Sequence, residues 1–134
     1  MKEDILFLDA NVLFSAAYRE DSGILKLWKL DSVKLVSSTY AIEEARRNLD
    51  ASHQKERLQS LLIEVEECLP YHKEISLPEN IALREKDIPI LLAAIFIKAD
   101  YLITGDVKDF GKFYGKKICN ITILTPADYL KKRR

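Results

Sequence analysis

The chain has 134 residues, 48% of them apolar and 31% charged, the composition of a globular protein. By size it reads as one domain spanning residues 1–134, able to bury about two-thirds of the surface its unfolded chain exposes. Basic and acidic residues cancel, 21 against 21, so no global field draws in a polyanion, and any nucleic-acid contact has to rest on local patches.

Ile5–Leu8 is a short continuous apolar run, the pattern of a strand buried on both faces. Asn11–Tyr18 and Ser22–Leu30 read as helical; in the second, Ile24, Leu27 and Trp28 share a face. Lys34–Ser37 is a second strand, after which Ser37, Ser38 or Thr39 can cap a helix beginning near Tyr40. Ile42, Ala45 and Leu49 recur in that helix at helical spacing. Leu58, Leu61, Leu62, Val65 and Leu69 predict a further helix over Gln54–Leu69, stopped by Pro70. Tyr71–Ser76 is a weak third strand. Ile88–Lys98 is a helix apolar nearly all round and therefore buried. Asp100–Thr104 is a strand, Val107–Phe113 a short helix and Ile118–Leu124 a last strand. Thr125-Pro126 then opens a C-terminal helix running through Leu130.

Short apolar strands alternating with helices predict an α/β fold around a mostly parallel sheet. In such sheets ligands bind beyond the carboxyl ends of the strands. Asp9, behind the first strand, and Asp106, behind the fourth, belong at that edge, as does the segment Ser37–Glu44. Asp87 opens the most apolar helix and would be held rigidly by it. Each acid has an ordinary explanation. Asp9, Asp87 and Asp106 can cap helices, and Glu43-Glu44 sit where a helix dipole favours negative charge. Adjacent helical residues point about 100° apart, so one of the two glutamates at most can face a common site. Ala41, Ala45 and Asn48 mark the side nearer Glu44. Their coincidence is less ordinary: several carboxylates gathered at one sheet edge repel unless a cation lies between them, which points to a divalent-metal site.

These segments resemble the PIN domain, a family of metal-dependent nucleases that includes the toxins of VapC-type toxin–antitoxin pairs. The matching stretches are Phe7–Ala16 (FLDANVLFSA), Ser37–Leu49 (SSTYAIEEARRNL), Lys86–Ile95 (KDIPILLAAI) with Ala99–Phe110 (ADYLITGDVKDF), and Ile121–Leu130 (ITILTPADYL), in family order. The resemblance implies a three-layer α/β/α sandwich and an acidic site of Asp9, Glu44, Asp87 and Asp106. Within it Asp9, Asp87 and Asp106 hold Mg²⁺ or Mn²⁺, with Asn11, Ser15 and Thr104 as polar support. Glu43 rivals Glu44, and Asp109 is a rival or auxiliary of Asp106. The implied activity is hydrolysis of RNA phosphodiester bonds. The implied partners are an RNA substrate, an antitoxin protein and a second copy of the chain.

Among local basic groups, Lys112, Lys116 and Lys117 follow Asp106 most closely and are the candidates for gripping substrate. The two histidines, His53 and His72, fall outside the matching segments and read as surface residues. Cys68 and Cys119 stand far apart with no metal-ligand spacing, as expected of half-buried thiols in a reducing cytoplasm. The longest apolar run, Ile88–Ile97, is about half a membrane span, so no membrane partner is expected. A phosphatase of the haloacid-dehalogenase type needs a second Asp two residues after the first, where this chain has Asn11. A receiver domain needs paired acids near the first strand and an acceptor Asp after the third, and neither pattern is present. The competing reading is a catalytically inactive PIN-fold scaffold or partner-binding module, since a fold does not fix a function. An apolar surplus on Ser22–Leu30 and Gln54–Leu69, notably Trp28, Leu58, Leu61, Leu62 and Val65, suggests a surface for homodimer formation.

Overall fold

Residues 3–68, 83–106 and 110–133 are described by the structure, a computed structural model. Six strands form one sheet in the order β3-β2-β1-β4-β6-β5. They are β1 (Asp4–Leu8), β2 (Val33–Ser38), β3 (Val65–Cys68), β4 (Tyr101–Ile103), β5 (Lys117–Ile118) and β6 (Ile121–Leu124). All neighbours pair in parallel except β5 with β6. Among the described residues five α-helices flank the sheet: α1 (Ala10–Tyr18), α2 (Thr39–Asn48), α3 (Ser52–Leu62), α4 (Ile88–Phe96) and α5 (Pro126–Lys132).

The strands read as apolar runs because both faces are covered. Leu6 and Leu8 of β1 enter one core cluster with Leu13, Leu27, Ile42, Leu58 and Tyr129, on the side of α1, α3 and α5. Phe7, between them in sequence, enters the other cluster with Ile90, Leu91, Ala94 and Phe110, on the side of α4. The same alternation divides Leu35 from Val36 and Ile103 from Leu102. The result is the expected three-layer α/β/α architecture with a mostly parallel sheet.

Local chemistry accounts for the helix starts. Ser38 caps α2, its Oγ accepting from the Ala41 amide at 3.1 Å. Thr125 caps α5, its Oγ1 accepting from the Asp128 amide at 3.0 Å, with Pro126 in the first turn. The chain ends are tied together where Tyr129 donates to Asp4 Oδ2 at 2.6 Å.

Two expectations are corrected and a third is refined. The helix predicted over Gln54–Leu69 ends at Leu62, and Val65–Cys68 is instead the edge strand β3. A parallel partner was available, Val65 standing opposite Leu35 and Cys68 opposite Ser38, and tertiary pairing overrode a helical period. The stretch read as helical over Ser22–Leu30 is a 3₁₀ helix over Gly23–Lys29, opened by Ser22 Oγ accepting from the Ile24 amide at 3.3 Å. The single strand predicted over Ile118–Leu124 is a hairpin, broken at Cys119-Asn120. Both turn residues have positive φ, 52° and 70°, as a type I′ two-residue turn requires. The strand expected at Tyr71–Ser76 lies outside the described residues, as do His72 and the first half of the helix expected at Val107–Phe113, whose end is a 3₁₀ turn at Gly111–Phe113.

Candidate active site

The register of the central strands fixes the site. Leu8 of β1 stands opposite Ile103 of β4, so the residues leaving the two strands, Asp9 and Thr104, emerge side by side. The ladder continues past the strand ends: the Asp9 amide donates to Ile103 O and the Thr104 amide to Leu124 O, each at 3.0 Å. Asp9 is 3% exposed and Thr104 fully buried.

Asp9 combines two roles. As the cap of α1 its Oδ1 accepts from the Ala10 amide at 2.6 Å. Its Oδ2 accepts from Thr104 Oγ1 at 2.8 Å and from Asn11 Nδ2 at 3.1 Å. The Thr104 hydroxyl is a hub, since its oxygen also accepts from the Asp106 amide at 3.0 Å and from Asn11 Nδ2 at 3.2 Å. Asn11 Oδ1 in turn accepts from the Gly105 amide at 2.7 Å. A Cβ on Gly105 would meet that oxygen at 3.3 Å, so a side chain here would press the Asn11 amide back by a few tenths of an ångström. Tyr114 supports the hub from behind, its hydroxyl donating to Thr104 O at 3.1 Å.

The other carboxylates arrive on separate elements. Ser37 ties β2 to β1 by donating to Leu8 O at 2.7 Å, which sets the entry to α2 and hence Glu44. Glu44 lines the cleft, whereas its neighbour Glu43 is exposed and paired with Arg46. Asp87 is 5% exposed and precedes α4, but its carboxylate makes no capping hydrogen bond to that helix. The capping explanation open from sequence is therefore removed. Tyr40, one turn before Glu44, donates to Lys86 O at 3.1 Å and so braces the turn that carries Asp87.

Asp9, Glu44, Asp87 and Asp106 all line one cleft of about 570 Å³, together with Ala10, Asn11, Phe14, Asn48 and Lys86. The field in it is strongly negative. Burial pushes the Asp9 carboxyl up to about 6, the Thr104 and Ala10 hydrogen bonds oppose that rise, and the charges of Glu44 and Asp106 add to it. The Tyr114 hydroxyl is pushed up to about 12, first by burial and then by Asp106 and Asp9. Tyr40 is likewise raised by burial and by Glu44 and Asp87.

Among the described residues, no three Asp, Glu, His or Cys side chains form a ready-made metal cluster. The donor set nevertheless fits a hard divalent ion. All its groups are oxygens, and Mg²⁺ takes one or two carboxylates and keeps several waters rather than demanding a closed protein cage. A cation would also relieve the burial cost of the Asp9 charge.

The remaining sequence-predicted residues fall elsewhere. Ser15 is half-buried one turn along α1 and does not line the cleft. Lys112, Lys116 and Lys117 are exposed outside it, Lys112 lying 5.2 Å from the ring centre of Phe113. Asp109 lies outside the described residues. Phe14, Lys86 and the hydroxyls of Tyr40 and Tyr114 escaped sequence reading. Phe14 is one turn from Asn11 and Lys86 adjoins Asp87, so both had a neighbour as a signal; Tyr114 had none, because only the fold brings it under Thr104.

Comparisons with known proteins follow the same lines. No curated protein matches the chain significantly in sequence. Solved structures that share its fold include VapBC2 from Rickettsia felis bound to a DNA fragment from their promoter, and VapBC-1 from nontypeable Haemophilus influenzae. The first has a TM-score of 0.66 at 19% identity, covering 90% of this chain and 98% of that one. The second has a TM-score of 0.58 at 18% identity, covering 92% and 98%. A family model described as PIN domain matches residues 6–108, from β1 past the Thr104 hub and Asp106, and with most of the sequence inside that match the chain belongs to the PIN domain family.

Proposed function

We propose that this protein is a Mg²⁺- or Mn²⁺-dependent endoribonuclease that hydrolyses RNA phosphodiester bonds. The observation that carries the reading is the convergence of Asp9, Glu44, Asp87 and Asp106, from four separate segments of a PIN-domain chain, on one cleft. Asp9, Asp87 and Asp106 would hold the ion. When bound, it supplies charge neutralisation at a phosphate and a water of lowered pKa. The chain's own residues do the rest. Thr104 and Asn11 fix the Asp9 carboxylate by donating to its Oδ2. Glu44, from α2, would take the proton from the attacking water as the P–O bond to the leaving ribose oxygen breaks, that oxygen being protonated from solvent. Asn11 and the Gly105 amide hold the β4 exit so that Asp106 keeps its place.

The family resemblance and the likeness to VapBC structures support a toxin role with an antitoxin partner and pairing of the chain with a second copy. Lys112, Lys116 and Lys117, outside the cleft, are proposed to contact RNA beyond the scissile bond through phosphates, giving salt-dependent and sequence-blind affinity. The competing reading, an inactive PIN-fold module, draws on the lack of a ready-made metal cluster among the described residues, and the convergence of four acids on one cleft weighs against it.

The test is RNA cleavage by the purified protein in Mn²⁺ and in EDTA. Cleavage is expected only with the metal, and Asp9→Asn or Asp106→Asn is expected to reduce it by two or more orders of magnitude while leaving circular dichroism unchanged. Activity persisting in EDTA, or an inert wild-type protein across diverse RNAs, would overturn the proposal.

A further inference from the structure

We propose that Lys86 is the residue that grips a phosphate of the RNA strand inside the acidic cleft, beside the bond to be cut. The inference rests on the ribonuclease reading above and deepens it. A cleft lined by four carboxylates repels the anion it has to admit, and one divalent ion offsets only part of that charge. Among the described residues Lys86 is the only lysine or arginine that lines the cleft, whereas Lys112, Lys116 and Lys117 stand outside it.

Its placement is built. Lys86 O accepts from the Tyr40 hydroxyl at 3.1 Å, so its backbone is fastened to α2 one turn before Glu44. The next residue, Asp87, is buried and its amide donates to Arg84 O at 2.9 Å, closing the turn from the other side. The root of the side chain is thus fixed between the elements that carry two of the site acids, while the residue itself is exposed. Lysine carries a compact, strongly hydrated point charge, suited to neutralising a phosphate without reading a base. Its role is binding rather than bond breaking.

Binding of a short fluorescent single-stranded RNA is measured in an Asp106→Asn background at fixed Mg²⁺ and increasing salt. Lys86→Ala is expected to weaken binding about tenfold at low salt and to lessen the slope of log K against log salt by about 0.7, one phosphate contact. Lys86→Arg is expected to restore both. In the otherwise wild-type enzyme, Lys86→Ala is expected to raise KM with kcat within about twofold. Unchanged affinity and slope in Lys86→Ala, with the parent binding RNA, would overturn the assignment while leaving the ribonuclease reading intact. A fall in kcat at unchanged binding would overturn it as well. Wild-type protein that neither binds nor cleaves RNA would overturn both.

Discussion

Asp9 is a helix cap and a candidate ligand in one side chain, and its titration separates the two roles. Burial raises its pKa from 3.8 to about 6, so the folded state holds the proton more tightly than the unfolded state. The proton-linked stability is fully present below about pH 4 and is lost as pH rises through about 6. In EDTA, Asp9→Asn is therefore expected to be more favourable at pH 7.5 than at pH 4, by roughly 1–3 kcal/mol. Urea unfolding at the two pH values measures this, and an effect independent of pH would mean that the carboxylate ionises without strain. A second prediction concerns the glutamate pair. Glu44→Ala is expected to abolish most RNA cleavage and Glu43→Ala to change it less than about threefold, because Glu43 forms a surface pair with Arg46. The opposite order in a single-turnover assay would move the catalytic role to Glu43. At this scale the sequence displayed the acids but not their company. Asp87 looked like a cap until its carboxylate was found not to serve as one, and Tyr114 meets Thr104 only through the fold.

Elements were legible where burial alone decides them. β1 and β4 are apolar because both faces of the sheet are covered, and α4 because Ile90, Leu91, Leu92, Ala93 and Ala94 are all buried. Legibility failed where a few residues choose between local period and distant pairing. Val65 keeps a helical spacing from Leu58, Leu61 and Leu62, yet β2 offered it a parallel partner. Cys119-Asn120 carries no Asn-Gly or Asp-Gly signature, so its turn went unseen although both residues adopt positive φ. Cys119 is the strained member, since a left-handed conformation costs most residues about 1–2 kcal/mol. Replacing the pair by Asn-Gly is expected to stabilise the protein by about 1 kcal/mol and raise Tm by roughly 3–5 °C. A lower Tm by differential scanning calorimetry would show that the hairpin is held by something other than its turn.

At the scale of the molecule, the apolar surplus expected to form a dimer surface has largely been used internally. Leu58 and Val65 are buried, and Trp28, Leu61 and Leu62 pack against the same core, with Trp28 Nε1 donating to Leu61 O at 3.0 Å. The large apolar side chains left exposed are Tyr18 at 50%, Ile63 at 83% and Phe96 at 47% among the described residues. The proposed pairing therefore rests on these and on the family resemblance. Light scattering at micromolar concentration is expected to give twice the chain mass, and a clean monomer without antitoxin would count against the dimer. No helix among the described residues is long and apolar enough to cross a membrane.

The account depends on the acids of the cleft acting together on one divalent ion, and isothermal titration with Mn²⁺ addresses that directly. Wild-type protein at pH 7.5 is expected to bind about one equivalent, with affinity falling as pH drops through about 6 and Asp9 takes up its proton. Asp9→Asn, Asp87→Asn and Asp106→Asn are each expected to weaken binding by at least about tenfold. Absence of binding in the wild type, or affinity unchanged in all three variants, would contradict the assignment of this cleft as a metal site.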